Sequence, residues 1–174
     1  EYADFLADHE LQLGLALRLA ERDYRRRPDH GHALETYAWA LHKNGRSGEA
    51  APYIERALDA RRQLGEKKGI AISLNCLGNI EQLRGRHDRA MALYLEALNL
   101  VREIKWRSGE AETLGYMATV MAARGRYAAA RESLREAAVI YEELGDVNGL
   151  AVVTAASSAV ECSLGSCDEA LATA

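Results

Sequence analysis

Glycine returns in this chain every 40 residues. Gly45, Gly85, Gly125 and Gly165 keep that spacing without deviation, and five residues after each stand Ala50, Ala90, Ala130 and Ala170. Seven residues further on come Ala57, Ala97 and Ala137. A second glycine column, Gly69, Gly109 and Gly149, shares the period, with Ala71, Ala111 and Ala151 two residues behind it. With 14 glycines in 174 residues, agreement of several independent columns is not accidental. Such a chain has to be an array of one supersecondary unit, each copy burying its face against the next.

Each unit reads as two helices. Ile70, Leu74, Leu77 and Glu81 run at helical spacing up to Gly85, and Ala90, Tyr94, Ala97 and Val101 begin a new stripe after it. Composition agrees, because 31 alanines and only 2 prolines favour helix throughout. The turn glycine ends one helix in the left-handed conformation, which costs a residue without a Cβ nothing. The alanines mark places where helix axes cross closely. The second helix of each unit is predicted to run to Leu64, to Ile104 and to Leu144. Gly65 and Gly145 follow two of these ends as caps, and Lys105 holds the matching place in the middle unit.

These columns resemble the tetratricopeptide repeat (TPR), a helix–turn–helix with a small residue in its first helix and an Ala, large apolar, Ala pattern in its second. The matching places carry Ala38, Gly78 and Ala118, then Ala50, Ala90 and Ala130, then Ile54, Tyr94 and Leu134, then Ala57, Ala97 and Ala137. The 40-residue pitch exceeds the usual ~34. It is similar to the long-helix subtype with Leu-Gly-Asn repeats, here Leu77-Gly78-Asn79. The resemblance implies an all-α fold, an α-solenoid in which antiparallel helix pairs wind into a right-handed superhelix. The expected units are a partial repeat over 1–28, full repeats over 29–68, 69–108 and 109–148, and a truncated repeat over 149–174. In the first stretch Ala16, Ala20 and Pro28 match Ala50, Ile54 and Arg62 at an offset of 34, so residues 1–9 read as the tail of a first helix and about 12–27 as its partner. Both ends fall inside a repeat, which predicts a piece of a longer solenoid.

The formal net charge of −4 argues against general nucleic-acid binding. No apolar stretch approaches the ~18 residues of a membrane span, and no charged-then-apolar leader opens the chain. Three cysteines, Cys76, Cys162 and Cys167, exclude a full disulfide framework and fit a reducing, cytoplasmic compartment. Cys162 and Cys167 straddle the Gly165 turn, but a zinc site wants four ligands in close pairs. His30 and His32 fall on different helix faces. No metal and no cofactor are therefore expected. The cysteines read as buried or half-buried small residues, with a Cys162–Cys167 disulfide the weaker reading. Phosphate-cradling, dinucleotide, nucleophile-elbow and zinc-protease motifs are all missing, so no catalytic residues are expected. Arg25, Arg26 and Arg27 either form a patch for an acidic partner or complement the dipole at a solvated helix end.

The resemblance also implies a binding face, because the first helix of each TPR lines a concave groove. Carried over unit by unit, that lining is His32, Glu35, Trp39 and His42, then Ile72, Asn75, Asn79 and Gln82, then Glu112, Gly115, Thr119 and Ala122, then Val152, Ala155, Ala159 and Cys162. The candidate groove residues are Trp39, His42, Asn75, Asn79, Gln82, Glu112, Tyr116 and Thr119. Asn75 and Asn79, one turn apart, either hold the backbone of an extended peptide or are solvated polar residues. Trp39 is either an aromatic anchor or a packing residue against the preceding helix. The carboxylate clamp of chaperone-binding TPRs has no match, since its places carry Glu35, Trp39, Cys76, Glu112 and Tyr116. Trp106 reads as a contact point or a local staple for the helix that follows it. The expected function is a non-enzymatic module binding a protein partner's peptide or helix in its groove. A peptide-sensing segment of a larger bacterial regulator and a structural solenoid that self-associates as a homo-oligomer are the alternatives. Neither a membrane nor a nucleic-acid partner is expected.

Overall fold

The computed structural model describes residues 12–163 and 165. Among these residues there are eight helices and no strand. They are α1 (Leu13–Arg26), α2 (Gly31–Lys43), α3 (Ser47–Leu64), α4 (Lys67–Leu83), α5 (His87–Glu103), α6 (Arg107–Ala123), α7 (Tyr127–Leu144) and α8 (Val147–Ser163). The chain is an all-α solenoid. The helix that ends at Glu103 stops one residue short of its expected end, and those at Leu64 and Leu144 stop where the periodicity puts them. The readings placed on residues 1–9, on Cys167 and on Ala170 lie outside the described residues.

One turn is used three times. Gly45, Gly85 and Gly125 have φ of +76°, +74° and +71°. In each case the next residue returns its N–H to a carbonyl five positions back, Arg46 to Leu41, Arg86 to Glu81 and Arg126 to Met121, all at 2.9 Å. That bond satisfies a helix-end carbonyl that would otherwise lack a donor. The other turn closes through Gly65 at +68° and Gly145 at +66°, while Lys105 adopts +56° in the same place.

The chain forms two compact units that divide at Leu93 and Tyr94, within α5. In the first unit, each helix packs on the next and α2 also touches α4. Ala50, Ala38 and Ala57 are wholly buried at these crossings, with Leu34, Leu41, Ile54 and Leu74 between them. Tyr24, Tyr37 and Tyr53 form an aromatic cluster at centroid distances of 4.8–5.3 Å. Burial first, and then the neighbouring Tyr53, raises the Tyr37 phenol above its ordinary pKa. The second unit repeats the arrangement with α6, α7 and α8, where α6 touches α8. Ala97, Ala111, Ala130 and Ala137 are wholly buried there, around Tyr94, Leu114, Leu134 and Ile140.

The second glycine column has a packing cause. A Cβ on Gly69 would lie 2.6 Å from the Arg61 guanidinium, and one on Gly109 would lie 2.5 Å from the Trp106 ring. A Cβ on Gly149 would overlap the Tyr141 ring. Each glycine opens the first turn of a helix to a large planar side chain that arrives from the preceding segment. Trp106 is thus a local staple laid over its own helix start.

Two buried carboxylates of the first unit are held by arginines. Glu35 is buried, taking a hydrogen bond from Arg61 Nη2 at 2.5 Å and another from the Ser73 hydroxyl. Glu81, only 1% exposed, meets Arg84 and Arg86 at 3.0 Å each. In the second unit the buried Glu110 accepts from Arg102 and from Arg107 at 2.7 Å each. At the end of α1, Arg25 pairs with Glu21 at 2.7 Å and Arg27 with Asp23 at 2.6 Å, one turn back.

Candidate functional site

One recess lies wholly in the second unit. It is a cleft of about 380 Å³ between α6 and α8. Helix α6 contributes Glu112, Gly115, Tyr116 and Thr119, α7 lays Leu134 and Tyr141 across the floor, and α8 adds Asn148, Val152, Val153 and Ala156. Gly115 is the reason it is open. On the 40-residue period its place is held by Glu35 and Asn75 in the two preceding units, both buried. At Gly115 an added Cβ would meet nothing within 4 Å. Losing one side chain from a helix face leaves a hole only where the neighbouring helix is also small, and Gly149 and Ala156 supply that on α8.

The floor is apolar and the rim polar. Leu134 and Val153 are buried, while Val152 is 70% exposed on the wall. Tyr116 Oη donates to Glu112 Oε1 at 2.8 Å, and its ring stacks on Tyr94 at 5.7 Å. The Thr119 hydroxyl donates to the Tyr116 carbonyl at 2.8 Å. Burial raises the Tyr141 phenol above its ordinary pKa, and the charges of Glu112 and Asp146 raise it further. An enclosed apolar floor with a few polar groups at its edge suits one apolar side chain held beside a hydrogen-bonding backbone. Among the described residues no cluster of three His, Cys, Asp or Glu side chains is placed to hold a metal, and no helix is long and apolar enough to cross a membrane.

Of the candidate groove residues, Glu112, Tyr116 and Thr119 are brought together here. Those of the first unit lie differently. Trp39 packs with Leu15 and Leu19 around Ala16 of α1, close to the His42 ring at 5.0 Å and under the Lys43 ammonium at 5.3 Å. It is therefore held by the preceding helix. His42 Nδ1 lies 3.0 Å from the Ser47 hydroxyl in the turn to α3, and burial, then Lys43, lowers its pKa. Asn79 and Gln82 are half-buried on α4. Asn75 is only 5% exposed, which corrects the expectation that both amides lie open. Glu35 is corrected from groove lining to a buried ion pair.

The cysteine expectation is also corrected in part. Cys76 is free and half-buried, as expected, whereas Cys162 is exposed and disulfide-bonded. The partner of Cys162 lies outside the described residues. Tyr141 and Asn148 escaped the sequence reading because they belong to the cleft only through three-helix packing. One signal pointed to Tyr141: it precedes Gly149 by eight residues, as Arg61 precedes Gly69.

Among curated proteins none matches this sequence. Solved structures with the same fold include BtubC (BKLC) from P. vanneervenii, at 20% identity and a TM-score of 0.77, covering 98% of this chain and 74% of that one. A kinesin light chain from P. anserina with nearly identical TPR-like repeats aligns at 17% identity and a TM-score of 0.73, over 98% and 86% of the two chains. The apo form of RapI aligns at 17% identity and a TM-score of 0.77, over 98% of this chain and 65% of that one. At these identities the likeness speaks for the fold. The sequence itself matches the tetratricopeptide repeat over residues 31–64 and again over residues 69–143, between them well over half of the chain. With the turn geometry and the buried alanine columns, those matches make the chain a member of the tetratricopeptide repeat family.

Proposed function

We propose that the chain is a non-enzymatic protein–protein interaction module, whose α6–α8 cleft takes an apolar side chain from a partner's peptide or helix. The observation that carries this reading is the cleft at Gly115, where a repeat position filled in the two preceding units is left empty above an apolar floor. A solenoid that needed only to stack would fill that hole, since an unfilled contact forfeits packing. Burying one side chain of the size of Leu or Phe there is worth about 1.5–3 kcal/mol, enough to anchor a segment held along its length by weaker contacts.

The test is Gly115→Leu. The added side chain points into open space, so the fold keeps its stability or gains slightly from the better helix former. Retention of partner peptides from a randomised library by the immobilised chain falls at the same time. Retention that is indifferent to Gly115→Leu, with the variant folded, refutes the cleft as the binding site.

A further inference from the structure

We infer that the α6–α8 cleft selects a cationic partner segment, one that sets a lysine or arginine beside the apolar residue on the floor, with Glu112 as its counter-ion. The inference rests on the cleft being the binding site. It follows from how charge is distributed around it.

Four carboxylates on or beside α6 and α7 are neutralised within the unit. Glu110 takes Arg102 and Arg107, Glu136 takes Arg102 at 2.6 Å, Glu143 takes Arg107 at 2.7 Å, and Glu132 takes Arg135 at 2.7 Å. Glu112 is not among them, and it is the carboxylate that lines the cleft. It is exposed on the rim, and among the described residues no cation pairs with it; Tyr116 holds one of its oxygens.

The sequence around the cleft supplies no cation to replace the missing one. Arg135 is the last basic residue, and positions 136–174 contain seven Asp or Glu and no Lys, Arg or His. Helix α8, a whole wall of the cleft, carries Glu161 as its one charged residue. The field of Glu112 reaches the floor, where it adds to burial in disfavouring the Tyr141 phenolate. Two aromatic faces, Tyr116 and Tyr141, line the same space, and such faces attract a cation within about 6 Å of the ring centre. An acidic or phosphorylated segment would meet uncompensated negative charge there, so the same arrangement rejects it.

The experiment selects randomised peptides on the immobilised full chain and compares wild type, Gly115→Leu, Glu112→Gln and Val152→Arg, each checked for folding by circular dichroism and a thermal melt. The peptides that Gly115→Leu loses are expected to be rich in Lys or Arg next to an apolar residue. Their affinity should fall about tenfold with Glu112→Gln, as expected for loss of a charge-assisted contact. Val152→Arg, at an exposed wall position, should lower it as well by bringing a cation to the same cleft. If the peptides lost by Gly115→Leu show no basic preference, or favour acidic residues, the inference is overturned while the cleft remains the binding site. Unchanged affinity in Glu112→Gln overturns it equally. If no peptide is sensitive to Gly115→Leu, the cleft reading fails and this inference fails with it.

Discussion

The Arg84 guanidinium donates to the Gly48 carbonyl at 2.8 Å. That oxygen is the one Pro52 cannot serve, because Pro52 sits four residues on inside α3 and has no N–H. The same guanidinium reaches the Ser47 carbonyl at 3.2 Å and the buried Glu81 at 3.0 Å. One side chain thus repairs a helix interrupted by proline and neutralises a buried carboxylate. Asn44, 40 residues earlier, makes the related contact, donating to the Leu13 carbonyl of α1 at 3.0 Å.

Arg84→Ala should therefore destabilise the fold by about 1–3 kcal/mol, through the orphaned Gly48 carbonyl and the weakened compensation of Glu81. In a Pro52→Ala background the carbonyl regains an intrahelical donor, and the loss should shrink. Urea unfolding of the four members of this double-mutant cycle measures the coupling. Additive losses would show that Arg84 acts through Glu81 alone.

Replacing glycine by alanine inside a helix ordinarily stabilises by roughly 1 kcal/mol. At Gly149 the sign should reverse, because the new methyl overlaps the buried Tyr141 ring. A loss of about 1–3 kcal/mol is expected for Gly149→Ala, typical of overpacking. With Tyr141→Leu already in place, thermal melts should show the alanine becoming nearly neutral.

Lys105 holds a left-handed conformation that Gly65 and Gly145 hold in the matching turns. A residue with a Cβ loses roughly 1–2 kcal/mol there, partly offset by the greater freedom glycine gives the unfolded chain. Lys105→Gly should raise stability by about 0.5–1 kcal/mol. A lower denaturation midpoint would mean that the lysine side chain contributes more than its strain.

Glu110 is the carboxylate whose titration should be visible. Burial by itself would raise its pKa, but the bonds and charges of Arg102 and Arg107 outweigh it and hold the group below its ordinary value. A carboxylate that is more acidic in the folded state stabilises the fold above the unfolded-state pKa, and that stabilisation is lost as pH falls through the folded one. Chemical denaturation followed from neutral to acidic pH should show this loss. Glu110→Gln should be less stable at neutral pH and have a flatter acid limb.

The 40-residue period determined the fold class, the positions of both turns and the buried alanine columns, because those features are local. A helix ends where glycine lets it, and a crossing is close where alanine stands, whatever the distant chain does. The period even marked Lys105 as the odd member of its column. What lies between the columns was decided by packing. Asn75 and Glu35 read as groove residues from their places on the repeat, yet both are buried, the latter by an arginine at position 61 that no pattern linked to it. The same repeat position opens a cleft at Gly115, because the facing surface of α8 is small as well and Tyr141 and Leu134 close the floor. A cavity is a relation between three helices. A one-dimensional period records each helix's contribution but not whether the others fill the space.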